Sequence, residues 1–118
     1  MKIAVIGSRD FDNLYLLEEV LSKYTEQITC LVSGGCRGAD KLAEEWARKR
    51  NIPVLIFEPN WKEYGRSAGV IRNREIIENC DLCIAFWDGK SKGTANGIQL
   101  CRKKNKPCNV YYSYSSEG

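Results

Sequence analysis

The chain has 118 residues, room for one domain with a single core. With 43% apolar and 28% charged residues it has the composition of an ordinary globular domain, and no apolar run approaches the ~20 residues of a membrane span. Eighteen basic against 15 acidic side chains leave a net charge of +3, too balanced to point to nucleic acid by itself, yet compatible with a local basic site for a phosphate.

The first apolar run, Ile3 to Ile6, is a strand. Gly7-Ser8-Arg9 breaks it before a signal-peptide core could form, so no membrane association and a cytoplasmic location are expected. Leu14, Leu17, Leu21 and Tyr24 then recur at helical spacing, and Thr29 to Val32 is a second strand. Ala39, Leu42, Ala43, Trp46 and Ala47 form a cleaner helical stripe, with Lys41, Glu44, Glu45 and Arg48 on the polar face. Asn51-Ile52-Pro53 breaks that helix before a third strand, Val54 to Phe57.

Glu58 to Gly69 is a long connection with two aromatics and two glycines. It reads as a lid or wall over a site, or as a loop whose Trp61 and Tyr64 pack on the core. Val70, Arg74 and Ile77 mark a third helix, with a less regular stripe. Leu82 to Phe86 is a fourth strand. Ala95, Ile98 and Cys101 mark a fourth helix, closing in Arg102-Lys103-Lys104 as suits a helix C-terminus. Asn105-Lys106-Pro107 precedes a last strand, Asn109 to Tyr112. One domain over 1–112 and a polar tail over 113–118 are expected.

The first four runs are near-continuous, as in strands covered on both faces of a parallel sheet. Strands alternating with helices at this spacing imply right-handed crossovers and a doubly wound α/β layer. The six cysteines, Cys30, Cys36, Cys80, Cys83, Cys101 and Cys108, mostly fall inside apolar patterns and read as reduced small hydrophobes. Cys80-x-x-Cys83 has no second pair and no histidine to complete a metal site, so no metal and no cofactor are expected.

In open α/β sheets ligands bind beyond the carboxyl ends of the strands. The first strand is followed by Gly7-Ser8-Arg9, the second by Ser33-Gly34-Gly35-Cys36-Arg37-Gly38, and the fourth by Trp87-Asp88-Gly89-Lys90-Ser91-Lys92-Gly93-Thr94. Glycine lets backbone amides approach a ligand, the following helix offers unpaired amides, and arginine can grip phosphate with two hydrogen bonds. The spacing is that of neither the dinucleotide fingerprint nor a Walker A loop, since Ile84 stands where the latter's first glycine belongs. Trp61 and Trp87, beside these loops, could stack on a base.

The stretches MKIAVIGSRDF, LVSGGCRGADKLAEEWA, YGRSAGVIRNREII and KSKGTANGI together resemble the SLOG superfamily, in its small YspA-type branch related to YpsA. The superfamily also holds the Lonely Guy phosphoribohydrolases and the DNA-processing protein DprA. The resemblance implies a three-layer Rossmann-like sheet of about five mainly parallel strands, with helices on both faces and a nucleotide-like ligand at the strand ends. It places Gly7, Ser8 and Arg9 at the site's first edge and Ser33, Gly34 and Gly35 on its floor. Arg37, Gly38 and Asp40 would stand at the second helix, Arg72 and Asn73 on the third, and Gly93 and Thr94 in a phosphate turn. It also implies a homodimer.

The sequence departs from the Lonely Guy pattern Pro-Gly-Gly-x-Gly-Thr-x-x-Glu, because Gly97 stands at the position of the catalytic glutamate. Glycosidic hydrolysis needs a group to stabilise the oxocarbenium-like centre or to activate water. Asp40 and Arg72 are the candidate catalytic residues, and Glu75 or Asp88 could also substitute. The expectation is therefore a nucleotide-binding module, a sensor or sequestering protein. The alternative is a hydrolase cleaving the N-glycosidic bond of a nucleoside 5'-monophosphate. The small net charge argues against nucleic acid as a partner.

Overall fold

Strand β1 (Lys2–Gly7) runs up the middle of a five-stranded sheet, and its residues alternate between two separate apolar layers. Its neighbours are β2 (Cys30–Ser33) and β4 (Leu82–Trp87), with β3 (Val54–Ile56) and β5 (Cys108–Tyr112) outside them. The order is β3-β2-β1-β4-β5 and every pairing is parallel. The computed structural model describes residues 1–113, so the expected tail lies outside the described residues apart from Ser113.

Ile3 and Val5 face helices α1 (Leu14–Ser22) and α2 (Ala39–Lys49) in a layer with Leu17, Leu21, Trp46 and Phe86. Ala4 and Ile6 face the opposite layer, with Ile76, Ile77 and Ile98 from helices α4 (Ala68–Glu78) and α5 (Lys92–Lys103). This is the three-layer Rossmann-like arrangement the resemblance implied. Burying an aliphatic side chain contributes about 1.5–3 kcal/mol, and strands apolar on both faces supply two such layers. Among the described residues no helix is long and apolar enough to cross a membrane.

Three features differ from the sequence reading. Strand β3 is an edge strand of three residues, with Leu55 exposed, rather than one covered on both faces. The connection over 58–69 is not a plain loop. It holds a short helix α3 (Trp61–Tyr64) and a 3-10 turn (Gly65–Ser67). Asn60 starts α3 by accepting from Glu63 N at 3.1 Å and donating to Glu63 Oε2 at 3.1 Å, a reciprocal cap. Trp61 and Tyr64 remain exposed, so neither packs into the core.

The third difference is Glu44, expected on the polar face of α2 but fully buried. Its Oε2 accepts from Ser33 Oγ at 2.7 Å, while Lys41 and Arg48 lie 3.6 and 3.8 Å from Oε1. The α2 stripe is wider than its apolar residues indicate because it also covers the end of β2.

Candidate functional site

The chain runs outward from β1 to β2 and β3, then returns to place β4 on the other side of β1. That reversal leaves a crevice beyond the carboxyl ends of β1 and β4, where doubly wound sheets bind ligands. A cavity of about 360 Å3 opens there. It is within the range of about 300–1,000 Å3 that small-molecule sites occupy. Residues 6–10 at the end of β1 and just beyond it, Cys36, Arg37 and Asp40 around the start of α2, Arg72, Asn73 and Ile76 on α4, and 91–94 at the start of α5 line it.

The loop after β2 is closed upon itself. Asp40 Oδ2 accepts from the amides of Gly34 at 3.1 Å and Cys36 at 3.2 Å, and Gly35 N donates to Ser33 Oγ at 3.2 Å. Gly38 enters α2 with φ of +84°, and a Cβ there would run into the carbonyl oxygens of Ser8 and Arg9. The two loops therefore touch backbone to backbone, which only glycine permits. Burial raises Asp40 from its ordinary 3.8 to about 6. The Cys36 amide, the Arg72 charge and the Gly34 amide oppose that rise without cancelling it.

Arg72 bridges α4 to this loop. Its Nη1 donates to Gly34 O at 2.8 Å and lies 3.5 Å from Cys36 Sγ, and its Nε donates to Asn73 Oδ1 at 3.0 Å. Asn73 Nδ2 then reaches Gly93 O at 3.2 Å and Asn96 Oδ1 at 3.0 Å on α5. One chain of hydrogen bonds thus fixes the β2–α2 loop, α4 and the first turns of α5 relative to one another. Arg74, on the same helix, points outward and is exposed.

The turn after β4 is built differently. Asp88 Oδ1 accepts from the amides of Lys90 and Ser91, both at 2.8 Å, and Ser91 Oγ lies 3.1 Å from Asp88 Oδ2 and 3.0 Å from Ser8 Oγ. Asp88 N donates to Ser8 Oγ at 3.2 Å, tying the turn to the end of β1. Desolvation acts to raise Asp88, but the Ser91 and Lys90 amides and the Ser91 and Ser8 hydroxyls hold it below the ordinary range. The first helical bond of α5 runs from Ala95 N to Ser91 O. The amides of Lys92, Gly93 and Thr94 ahead of it have no acceptor within the helix, and these three residues line the cavity. Apart from its chain neighbours and the backbone of its own helix, no described atom lies within 4 Å of where a Cβ on Gly93 would sit.

Of the residues singled out in the sequence, Gly7, Ser8, Arg9, Arg37, Asp40, Arg72, Asn73, Gly93 and Thr94 meet around this one cavity. Ser33, Gly34, Gly35 and Gly38 do not line it. They build the support behind Asp40 and Arg72, so Ser33 serves Glu44 and the loop rather than forming the floor. Among the described residues, Arg37 has an exposed pair with Asp10 at 3.7 Å, a contact of little strength.

Trp61 and Trp87 are not cavity residues. Trp87 Nε1 donates to Ser91 O at 3.1 Å, and its ring packs on Tyr112. No residue of 58–69 lines the cavity, so the connection is neither lid nor wall in this conformation. Glu75 is exposed on α4, away from it. Asp10 and Ser91 were not singled out. Ser91 had a signal in its spacing from Asp88, three residues ahead of a helix, as in a hydrogen-bonded cap.

A sequence model of the YspA, cpYpsA-related SLOG family matches residues 1–64. The Gene 61 protein of Mycobacterium phage D29 is 36% identical over 83 residues, which are 65% of this chain and 66% of that protein. Among solved structures, DNA processing protein A from Helicobacter pylori superposes with a TM-score of 0.74 at 20% identity, over 93% of this chain and 64% of that one. DNA processing protein A (DprA) from Streptococcus pneumoniae gives 0.76 at 18% identity, over 98% and 50%. The chain thus spans less than two thirds of either DprA chain and just under two thirds of the phage protein. The Helicobacter structure is described by its single-stranded DNA binding mode. That corrects the expectation set against nucleic acid: a small net charge does not exclude it, because a protein of this same fold binds single strands.

Proposed function

We propose that this chain, which belongs to the YspA, cpYpsA-related SLOG family, binds a nucleotide or nucleotide-derived phosphate in the cavity between β1 and β4 without hydrolysing it. The observation that carries the reading is that Ser8, Arg9, Arg37, Arg72 and the first turn of α5, Lys92 to Thr94, all line one crevice. Amides at a helix start and arginine forks together match the charge and geometry of a phosphate.

Binding without turnover is favoured over glycosidic hydrolysis by Gly97. It is buried beside Ile6 and supplies no carboxylate where the Lonely Guy pattern has its glutamate. Among the described residues that line the cavity, the carboxylates are Asp40, engaged by two amides and Arg72, and Asp10, exposed and paired with Arg37.

Calorimetry with AMP, ADP-ribose and NAD tests this. At least one ligand is expected to bind at one per chain, and Arg9→Ala with Arg37→Ala, both exposed positions, should weaken it about tenfold or more. Absence of binding by all three, or binding untouched by the double substitution, refutes it. Release of free base during the incubation would move the assignment to the hydrolase.

A second reading rests on the likeness to the Helicobacter protein and on Arg9, Arg37, Lys90 and Lys92, all exposed around the crevice. In it, the same rim holds the phosphates of a single strand. Fluorescence anisotropy with oligo(dT) over a salt series checks it, since each neutralised phosphate steepens the salt dependence. The dimer implied by the resemblance is read from sedimentation of the same preparations. Trp61, Tyr64 and Val70, exposed on α3 and α4, are the apolar side chains it would cover.

A further inference from the structure

At the opposite end of the sheet from the cavity, three cysteines from three elements meet. Cys83 is the second residue of β4, Cys108 opens β5 as its register partner, and Cys101 sits near the end of α5, above both strands. Their three sulfurs all lie within 4.8 Å of one another. Cys83 and Cys101 are fully buried and Cys108 half-buried, so the group has one open side.

The pair that looked suggestive in sequence, Cys80 and Cys83, is not the group that meets. Cys80 Sγ turns to Ile77 O at 3.5 Å.

An isolated buried cysteine is a small hydrophobe, and a facing pair becomes a disulfide only when an oxidant takes two electrons from it. A third sulfur facing both is unexplained by either role. We propose that Cys83, Cys101 and Cys108 form a three-coordinate thiolate site for a soft metal ion, Cu(I).

Donor softness and donor number support this assignment. Thiolates select Cu(I), zinc and iron–sulfur clusters over hard cations. Zinc sites take four protein ligands, or three with an open position for water. Among the described residues this group offers three sulfurs, and the chain has no histidine. Two of the three sulfurs are sealed from solvent, which disfavours a bound water.

A trigonal site with bonds of about 2.3 Å sets its sulfurs about 4 Å apart, so the group needs to contract by less than about 1 Å. Binding would release thiol protons to solvent and leave a net negative unit. Cations stand near it: Arg102 follows Cys101, and Lys106, two residues before Cys108, donates from Nζ to Cys80 O at 2.7 Å.

The test is anaerobic titration of the whole reduced chain with Cu(I) against a competing Cu(I) chelator, with a parallel Zn(II) titration. One Cu(I) per chain is expected, with ultraviolet thiolate-to-copper absorption. Cys108→Ser, at the half-buried position, should lose at least a hundredfold in affinity while circular dichroism stays native. Cys30→Ser, on β2 outside the group, should bind as the parent does. X-ray absorption of the Cu(I)-loaded parent, which needs no substitution, should show three sulfurs at one distance. The proposal is overturned by Cu(I) passing wholly to the chelator, by Cys108→Ser binding unchanged, by fewer than three sulfurs around the metal, or by retention of Zn(II) but not Cu(I).

Discussion

The loop after β2 and the turn after β4 both end at a helix start, and both carry glycines beside cations, yet one is closed and the other open. In the first, Asp40 takes the amides of Gly34 and Cys36, Arg72 takes the Gly34 carbonyl, and Gly38 is pressed against the next loop. In the second, Asp88 takes the amides of Lys90 and Ser91 and leaves those of Lys92, Gly93 and Thr94, residues that line the cavity, without an acceptor in the helix. A glycine-rich loop is a ligand site only to the extent that its own side chains leave its amides unengaged. Here the more conspicuous motif is scaffold, and the quieter one offers the free donors.

Substitutions should separate the two regions. The largest effect is expected at Gly38→Ala. Its positive φ and the carbonyls of Ser8 and Arg9 leave no room for a methyl, and a loss of about 3 kcal/mol or more should appear in urea unfolding. A loss under about 1 kcal/mol would mean that the closed loop yields easily.

Next comes Asp40. Its folded value of about 6 lies above its ordinary 3.8, so the native state holds the proton more tightly than the unfolded chain. The ionised, buried carboxylate therefore opposes folding by up to about 3 kcal/mol above about pH 6, and that penalty is relieved as the pH falls towards about 4. Measured against Asp40→Asn, the parent should gain stability between about pH 7 and about pH 4.5. A difference that stays flat over this window would show the carboxylate to be ordinary. Asp88, held below its ordinary value, acts in the reverse sense, and its support is lost only at lower pH.

Ser33→Ala removes the hydroxyl that donates to buried Glu44, whose Oε1 already lacks a hydrogen bond. A loss of about 2 kcal/mol is expected by thermal unfolding, with the cavity untouched. The smallest stability effect belongs to Gly93→Ala in the open turn. Its methyl meets nothing, and alanine favours the helix, so stability should hold or rise by less than about 1 kcal/mol. The substitution keeps the amide, but if a phosphate occupies the open space over Gly93 the added methyl takes that space and nucleotide affinity should drop at least tenfold. Equal affinity would place the ligand elsewhere in the crevice.

Much of this was legible in the chain as a string. Runs such as Ile3 to Ile6 and Leu82 to Phe86 marked strands buried on both faces, and the structure extends each by only one or two residues. Arg72, which the resemblance put at the site, lines the cavity, while Arg74 on the same helix does not. The third helix matched its pattern less well because polar Asn73 occupies the buried stripe, where it bonds across to α5. Val70, taken as part of that stripe, is exposed. Glu44 was misplaced for a related reason: a buried carboxylate is invisible to a polarity pattern when its partner, Ser33, lies eleven residues away.

Local sequence determined the alternation of strands and helices, the parallel sheet and the loops that would gather at its carboxyl edge, because side-chain periodicity and turn residues act over a few positions. The order of the strands, the edge position of β3, the closure of one glycine loop and the openness of another, and the meeting of Cys83, Cys101 and Cys108 were decided only by the tertiary structure. Each depends on contacts between segments distant along the chain, and those are settled by how the two layers pack on the sheet.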